Sequence, residues 1–279
     1  MKNSIPNLGR IATVAVLCLF SLAASSVAAT KRPLNYPYGL AVDAKGNLYV
    51  ANTNGNQVLV YNVNHAQVPT KTISKNVVFP TAVAFDPNGN LWVANSGTPG
   101  SITEYSSTGV QNAQATLTTG ITTPNALAID GLADIWVQDS YENLIMYPQF
   151  QNAPLLSVPA GLPITGLAAH QGFLAIGGNS NTFLVETSVL IHGGLGAKSF
   201  STTCFAMAYD TAGNLYCGNQ DDSLTVMDAA GNVRTLAQMG FFPTGLALDN
   251  ARGLVYVSSG PNNSIAVYNT SGTLLTTIK

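Results

Sequence analysis

Pro37-Tyr38-Gly39-Leu40-Ala41-Val42-Asp43, followed within a few residues by Gly46-Asn47-Leu48-Tyr49-Val50-Ala51-Asn52, is the stretch on which the reading of this chain turns. Two short apolar runs flank a turn that contains Gly-Asn, the pattern of an antiparallel hairpin. The first run then recurs. It returns as Ala82-Val83-Ala84-Phe85-Asp86, Ala126-Leu127-Ala128-Ile129-Asp130 and Gly166-Leu167-Ala168-Ala169-His170. Two more copies follow, Ala206-Met207-Ala208-Tyr209-Asp210 and Gly245-Leu246-Ala247-Leu248-Asp249, so that six copies stand 39 to 44 residues apart. A fixed period of this length signals stacked supersecondary units.

Each copy continues in the same way. A second apolar run follows the turn, such as Leu91 to Ala94 or Leu215 to Cys217, and a third ends near a bulky residue, such as Tyr61, Tyr105, Tyr147 or Tyr268. A weaker fourth run closes the unit, as in Pro69 to Ile73 or Thr273 to Ile278. Four short strands per unit describe a propeller blade. The predicted fold is all-β, a six-bladed β-propeller of four-stranded antiparallel blades spanning residues 30–279. The blades cover about 36–76, 77–120, 121–161, 162–200, 201–240 and 241–279. A lone sheet with two apolar faces cannot shield both from water, whereas radial packing buries each against its neighbour. Blade six supplies its own last strand, so the ring is expected to close face to face, with residues 30–35 as a short tether.

Residues 1–29 read as a signal peptide. Lys2 and Arg10 flank the n-region, Ile11 to Leu22 is apolar, and Val27-Ala28-Ala29 suits cleavage before Thr30. Cys18 does not fit a lipid-attachment site, because Leu17 stands where a small residue belongs. The mature chain is therefore expected to be secreted or periplasmic, without a membrane span and monomeric. The whole chain carries a formal charge of −2 with 9% charged residues, and loss of Lys2 and Arg10 makes the mature chain more acidic. No basic patch can neutralise a run of phosphates, so nucleic acid is not a partner.

In an antiparallel blade the start of strand one and the end of strand two share an end. One mouth is thus predicted to be ringed by Tyr38, Thr81, Asn125, Thr165, Phe205 and Thr244, with Asn52, Asn95, Asp139, Asn179, Asn219 and Ser259 around it. The inner ring is neutral and suits a sugar or polar peptide. The Asn and Thr side chains equally suit local bonds to turn backbone. Asp139, Glu142, Asp221 and Asp222 lie in loops near this mouth, either as oxygen ligands for Ca²⁺ or as solvated acids. No catalytic constellation, metal set or cofactor is assigned from the residues. Cys204 and Cys217 replace a leading proline and a core valine on adjacent strands of blade five. Either they form a disulfide or they are two buried thiols.

The paired phrases of residues 37–52 and 80–95 resemble NHL repeats, in which Pro-x-Gly-apolar-Ala-apolar-Asp precedes Gly-Asn-apolar-Tyr-Val-Ala-Asp. The resemblance extends over about residues 36–279 and implies the propeller fold. Blade four departs most, with His170 for Asp, a turn one residue shorter, and Gly177-Gly178-Asn179 for Val-Ala-Asn. The family includes scaffolds, carbohydrate- or protein-binding modules and a few enzymes. The expected function is a binding or scaffold module for a glycan or protein partner. The alternative is a metal-dependent hydrolase of the gluconolactonase kind or a streptogramin-lyase-like enzyme. Such lactonases hold a divalent cation at the mouth with Glu, Asn and Asp, of which only Asn125 has a counterpart. The lyases use a histidine base, yet none of His65, His170 and His192 falls at a mouth position.

Overall fold

The computed structural model describes residues 34–279, apart from 63, 65, 66, 141, 162, 195 and 196. The signal peptide expected over 1–29 and the residue His65 lie outside the described residues. Among the described residues, twenty-four strands form six sheets, each built from four consecutive strands in the order one-two-three-four. This is a six-bladed β-propeller. Among the described residues no strand is exchanged between blades, and the ring closes by packing blade six on blade one.

The repeated phrase is explained by its turn. Asp43 Oδ1 accepts the backbone N–H groups of Lys45 and Asn47, and Oδ2 accepts the Asn47 amide. Asp86 and Asp210 cap their turns in the same way, and Asp130 accepts the corresponding two backbone N–H groups. Gly46 takes φ +83°, which a side chain would oppose. Strand two then sets a large residue opposite a small one. Tyr49, Trp92, Trp136, Tyr216 and Tyr256 pair with Ala41, Ala84, Ala128, Ala208 and Ala247. Each ring enters the core shared with the next blade. Burying such a ring removes roughly 150–250 Å² from water, worth several kcal/mol at about 25 cal/mol per Å². In blade four the corresponding pair is Ala168 with Ala175.

Strand one packs most closely on the next blade. A Cβ on Gly39 would lie 2.6 Å from Ala82 Cα, and one on Gly245 would lie within 2.1 Å of the Tyr38 carbonyl oxygen. Blade four also carries a short helix, Thr187–Ile191, between its third and fourth strands. Its Leu190 fills the core between blades three and four, a feature the strand pattern did not announce. Among the described residues no helix is long and apolar enough to cross a membrane.

The expectation of a tether before strand one needs correction. Leu34 is 3% exposed and joins the core of blades one and six, beside Leu48, Tyr61, Tyr256 and Ile278. The Asn35 N–H donates to Asn52 Oδ1 and the Tyr36 N–H to Asn263 Oδ1 of blade six, both at 2.7 Å. On the outer side of the seam, Gln67 bonds the Thr277 carbonyl and the Lys279 N–H. Residues 34–36 are therefore part of the closure.

Candidate functional site

In five blades the pairing of strands one and two slips at a single residue, between Pro37 and Leu40, Pro80 and Ala82, Pro124 and Ala126, Ile164 and Gly166, and Cys204 and Ala206. A bulge re-aims the side chain at that point. The slipped segments hold Tyr38, Thr81, Asn125, Thr165 and Phe205, which with Thr244 surround one cavity on the propeller axis. The cavity has a volume of about 70 Å³. Its floor is a ring of Leu40, Val83, Leu127, Leu167, Met207 and Leu246, all nearly buried. Small-molecule pockets usually measure about 300–1,000 Å³. A ligand larger than a few waters must therefore sit above this plug, across the mouth.

The ring alternates. Thr81, Thr165 and Thr244, from blades two, four and six, donate their hydroxyls to Pro124, Cys204 and Pro37 carbonyls of the following blade at 2.7–2.8 Å. Tyr38, Asn125 and Phe205 stand between them. The three hydroxyl protons are thus committed to stitching blades together. Asn125 donates to the Thr123 carbonyl at 3.1 Å. Burial, reinforced by the neighbouring Tyr36, holds the Tyr38 phenol above its ordinary pKa, so it remains a protonated donor.

Most of the outer ring is occupied with loop backbone. Asn52 Oδ1 accepts the Asn35 N–H, Asn95 Oδ1 accepts that of Val78, and Asp139 Oδ1 accepts those of Thr122 and Thr123. Asn219 donates to Thr225 and Ser223, and Ser259 is buried. Asn179 alone among these six is exposed. The loop acids do not gather either. Asp139 is buried, Glu142 is exposed, and bonds from Ser223 hold Asp221 below the usual carboxylate range. Among the described residues, no three His, Cys, Asp or Glu side chains come together as a metal site.

Sequence reasoning missed the aromatic rim. Tyr36, Phe79 and Phe242 are 37%, 48% and 38% exposed, each directly before a leading proline. That aromatic-Pro dipeptide was the legible signal. Tyr36 and Phe79 adopt φ +58° and +47°, a left-handed backbone that is unfavourable for bulky residues. An asparagine of the preceding blade clamps each one. Asn263 Oδ1 accepts the Tyr36 N–H, and Asn56 Oδ1 accepts the Phe79 N–H at 2.7 Å. Tyr36 stacks towards Tyr38 with centroids 6.5 Å apart, and Phe242 meets the Phe205 ring edge-on at 4.8 Å. The aromatic surface thus spans blades five, six, one and two.

Blade five has a covalent staple. Cys204 and Cys217 are disulfide-bonded, with Cα atoms 5.1 Å apart. Cys204 pairs with Asn219 and Cys217 with Met207, so the cysteines are diagonal neighbours. Diagonal positions normally lie about 7–8 Å apart. The slip at Phe205 draws them into bonding range.

The fold and the repeat together define the class: a six-bladed β-propeller that carries an NHL repeat, whose family model matches residues 34–61. Among solved structures, the chain is similar to virginiamycin B lyase from Staphylococcus aureus, at TM-score 0.62 and 12% identity over 88% of this chain and 85% of that one. A streptogramin B lyase structure gives 0.63 and 12%, over 87% and 83%. A protein of unknown function from Bacteroides thetaiotaomicron VPI-5482 gives 0.64 and 12%, over 85% and 70%. At this identity the likeness is one of fold alone. No curated protein matches the sequence significantly.

Proposed function

We propose that this chain is an exported binding module that recognises a glycan or a protein partner across the mouth face. One observation carries the reading. Tyr36 and Phe79 are held in left-handed backbone, which costs of order 1–3 kcal/mol per residue, and burial does not offset it because both rings remain exposed. Strain of this kind clusters at ligand clamps. Exposed aromatic rings are the side chains that sugar faces and protein hot spots use most. The rim surrounds an axial cavity too small to admit a sugar ring, so recognition falls to the surface.

The test is a glycan array and a peptide array probed with exported protein and with a Tyr36→Ala/Phe79→Ala/Phe242→Ala variant. The expected result is a wild-type signal lost in the variant, with an unchanged far-ultraviolet circular dichroism spectrum. A signal that survives all three substitutions would remove the mouth from consideration. Mass spectrometry of the exported protein should find Thr30 at the amino terminus. The likeness to lyases adds a further arm, since a metal enzyme would need oxygen or imidazole ligands converging on Asn125. Micromolar one-to-one binding of Ca²⁺, Mg²⁺, Mn²⁺ or Zn²⁺ to chelator-treated protein, abolished by Asn125→Ala, would replace the binding reading with a catalytic one.

A further inference from the structure

Blade four lacks two residues that act together elsewhere. In blades two and three, the indole N–H of Trp92 and Trp136 donates to Asp86 and Asp130 at 3.2 and 3.1 Å. The large ring thus lies back along the blade towards the end of strand one. Blade four has Ala175 in place of the ring and His170 in place of the carboxylate. The turn no longer needs a carboxylate cap, because it is shortened to Gln171-Gly172 and His170 pairs directly with Phe173. Loss of the ring thins the packing. Among the described residues, the core between blades four and five has seven buried residues, whereas the other five inter-blade cores have nine to twelve. A cleft of about 370 Å³ adjoins this core through Leu215 and Met227, on the face opposite the mouth.

We propose that this cleft is a binding site for a flat aromatic ring bearing charged groups, of the aromatic amino-acid class. A ring on residue 175 would extend, as Trp92 and Trp136 do, towards the position of His170, which lines the cleft, while Ala175 itself is fully buried and does not line it. Leu184, Leu215 and Met227 supply apolar lining. The freed His170 ring stacks on Tyr209 at 5.2 Å and makes a flat wall. Burial raises the Tyr209 phenol to about 12, so its hydroxyl remains a donor at physiological pH. Glu186 and Lys198 stand exposed at the opening, and neither is ion-paired among the described residues. They suit an ammonium and a carboxylate respectively. The volume falls within the range of small-ligand pockets, about 300–1,000 Å³.

Calorimetric titration of the exported protein with L-tryptophan, L-tyrosine and N-acetyl-L-tryptophanamide tests the site. The expected result is saturable one-to-one binding of at least one free amino acid, with a dissociation constant of about 0.1–1 mM for a ligand of this size. Ala175→Trp, which restores the sibling residue, should abolish it. Should that variant fail to fold, Ala212→Trp blocks the cleft from an exposed turn residue. The double variant Glu186→Gln/Lys198→Gln should weaken the amino acids about tenfold or more and spare the uncharged amide. Tighter binding of the amide than of either amino acid would retain the ring site but assign it to an aromatic side chain of a protein partner. No aromatic binding up to about 10 mM, or binding undiminished in both blocking variants, overturns the proposal. The mouth variants Tyr36→Ala and Phe79→Ala leave this result untouched, so the two sites are judged separately.

Discussion

Leu34→Ala asks whether the segment before strand one belongs to the ring. Leu34 precedes every strand, yet only 3% of it is exposed, and it packs in a core built from blades one and six. Truncating a buried leucine in such a core costs about 3–5 kcal/mol, the lost transfer energy plus the cavity left behind. Asn35 is the internal control. It is exposed, and its contribution is a backbone N–H donated to Asn52, which Asn35→Ala retains. That substitution should remain within about 0.5 kcal/mol of the parent. With a urea m-value of about 3 kcal/mol/M for a domain of this size, Leu34→Ala should lower the denaturation midpoint by about 1–1.7 M, and Asn35→Ala should barely move it. Equilibrium urea unfolding followed by tryptophan fluorescence gives both midpoints. If the two variants unfold together, residues 34–36 are a tether and the seam is held by the strands alone.

Two further outcomes follow from particular contacts. Alkylation of exported, denatured and unreduced protein should label neither Cys204 nor Cys217, and the Cys204→Ala/Cys217→Ala variant should lose about 3 kcal/mol, the loop-closure value for a separation of 13 residues; two labelled thiols would refute the bond. Burial is the main cause that raises the Asp134 pKa, so the fold disfavours its ionised form. The penalty grows as pH rises from the unfolded value near 3.8 through the raised folded one, and is complete above it. Asp134→Asn should keep the bond from the Gln149 N–H and raise the melting temperature at neutral pH, with the gain shrinking as the pH is lowered; equal effects at both pH values would contradict this.

The chain's local chemistry was enough to read the blades. Alternating strands, Asp-capped turns such as Asp43 to Asn47, and a recurring alanine act over a few residues, and six copies make the pattern unmistakable. The six side chains of the axial ring were legible for the same reason, since each occupies one repeat position. Their use was not legible. That Thr81, Thr165 and Thr244 give their protons to the next blade depends on carbonyls about 40 residues away for the first two and 207 residues away, across the seam, for Thr244. The replacements at His170 and Ala175 could be seen in the sequence, but not the cleft beside them, because its other wall is the face of blade five. Leu34 and Tyr36 lie outside the repeat pattern. The buried site of one is completed by blade six and the clamp on the other comes from it, and the bond between Tyr36 and Asn263 spans 227 residues. Repetition and turn chemistry are written along the chain, whereas contacts between blades exist only once the ring has closed.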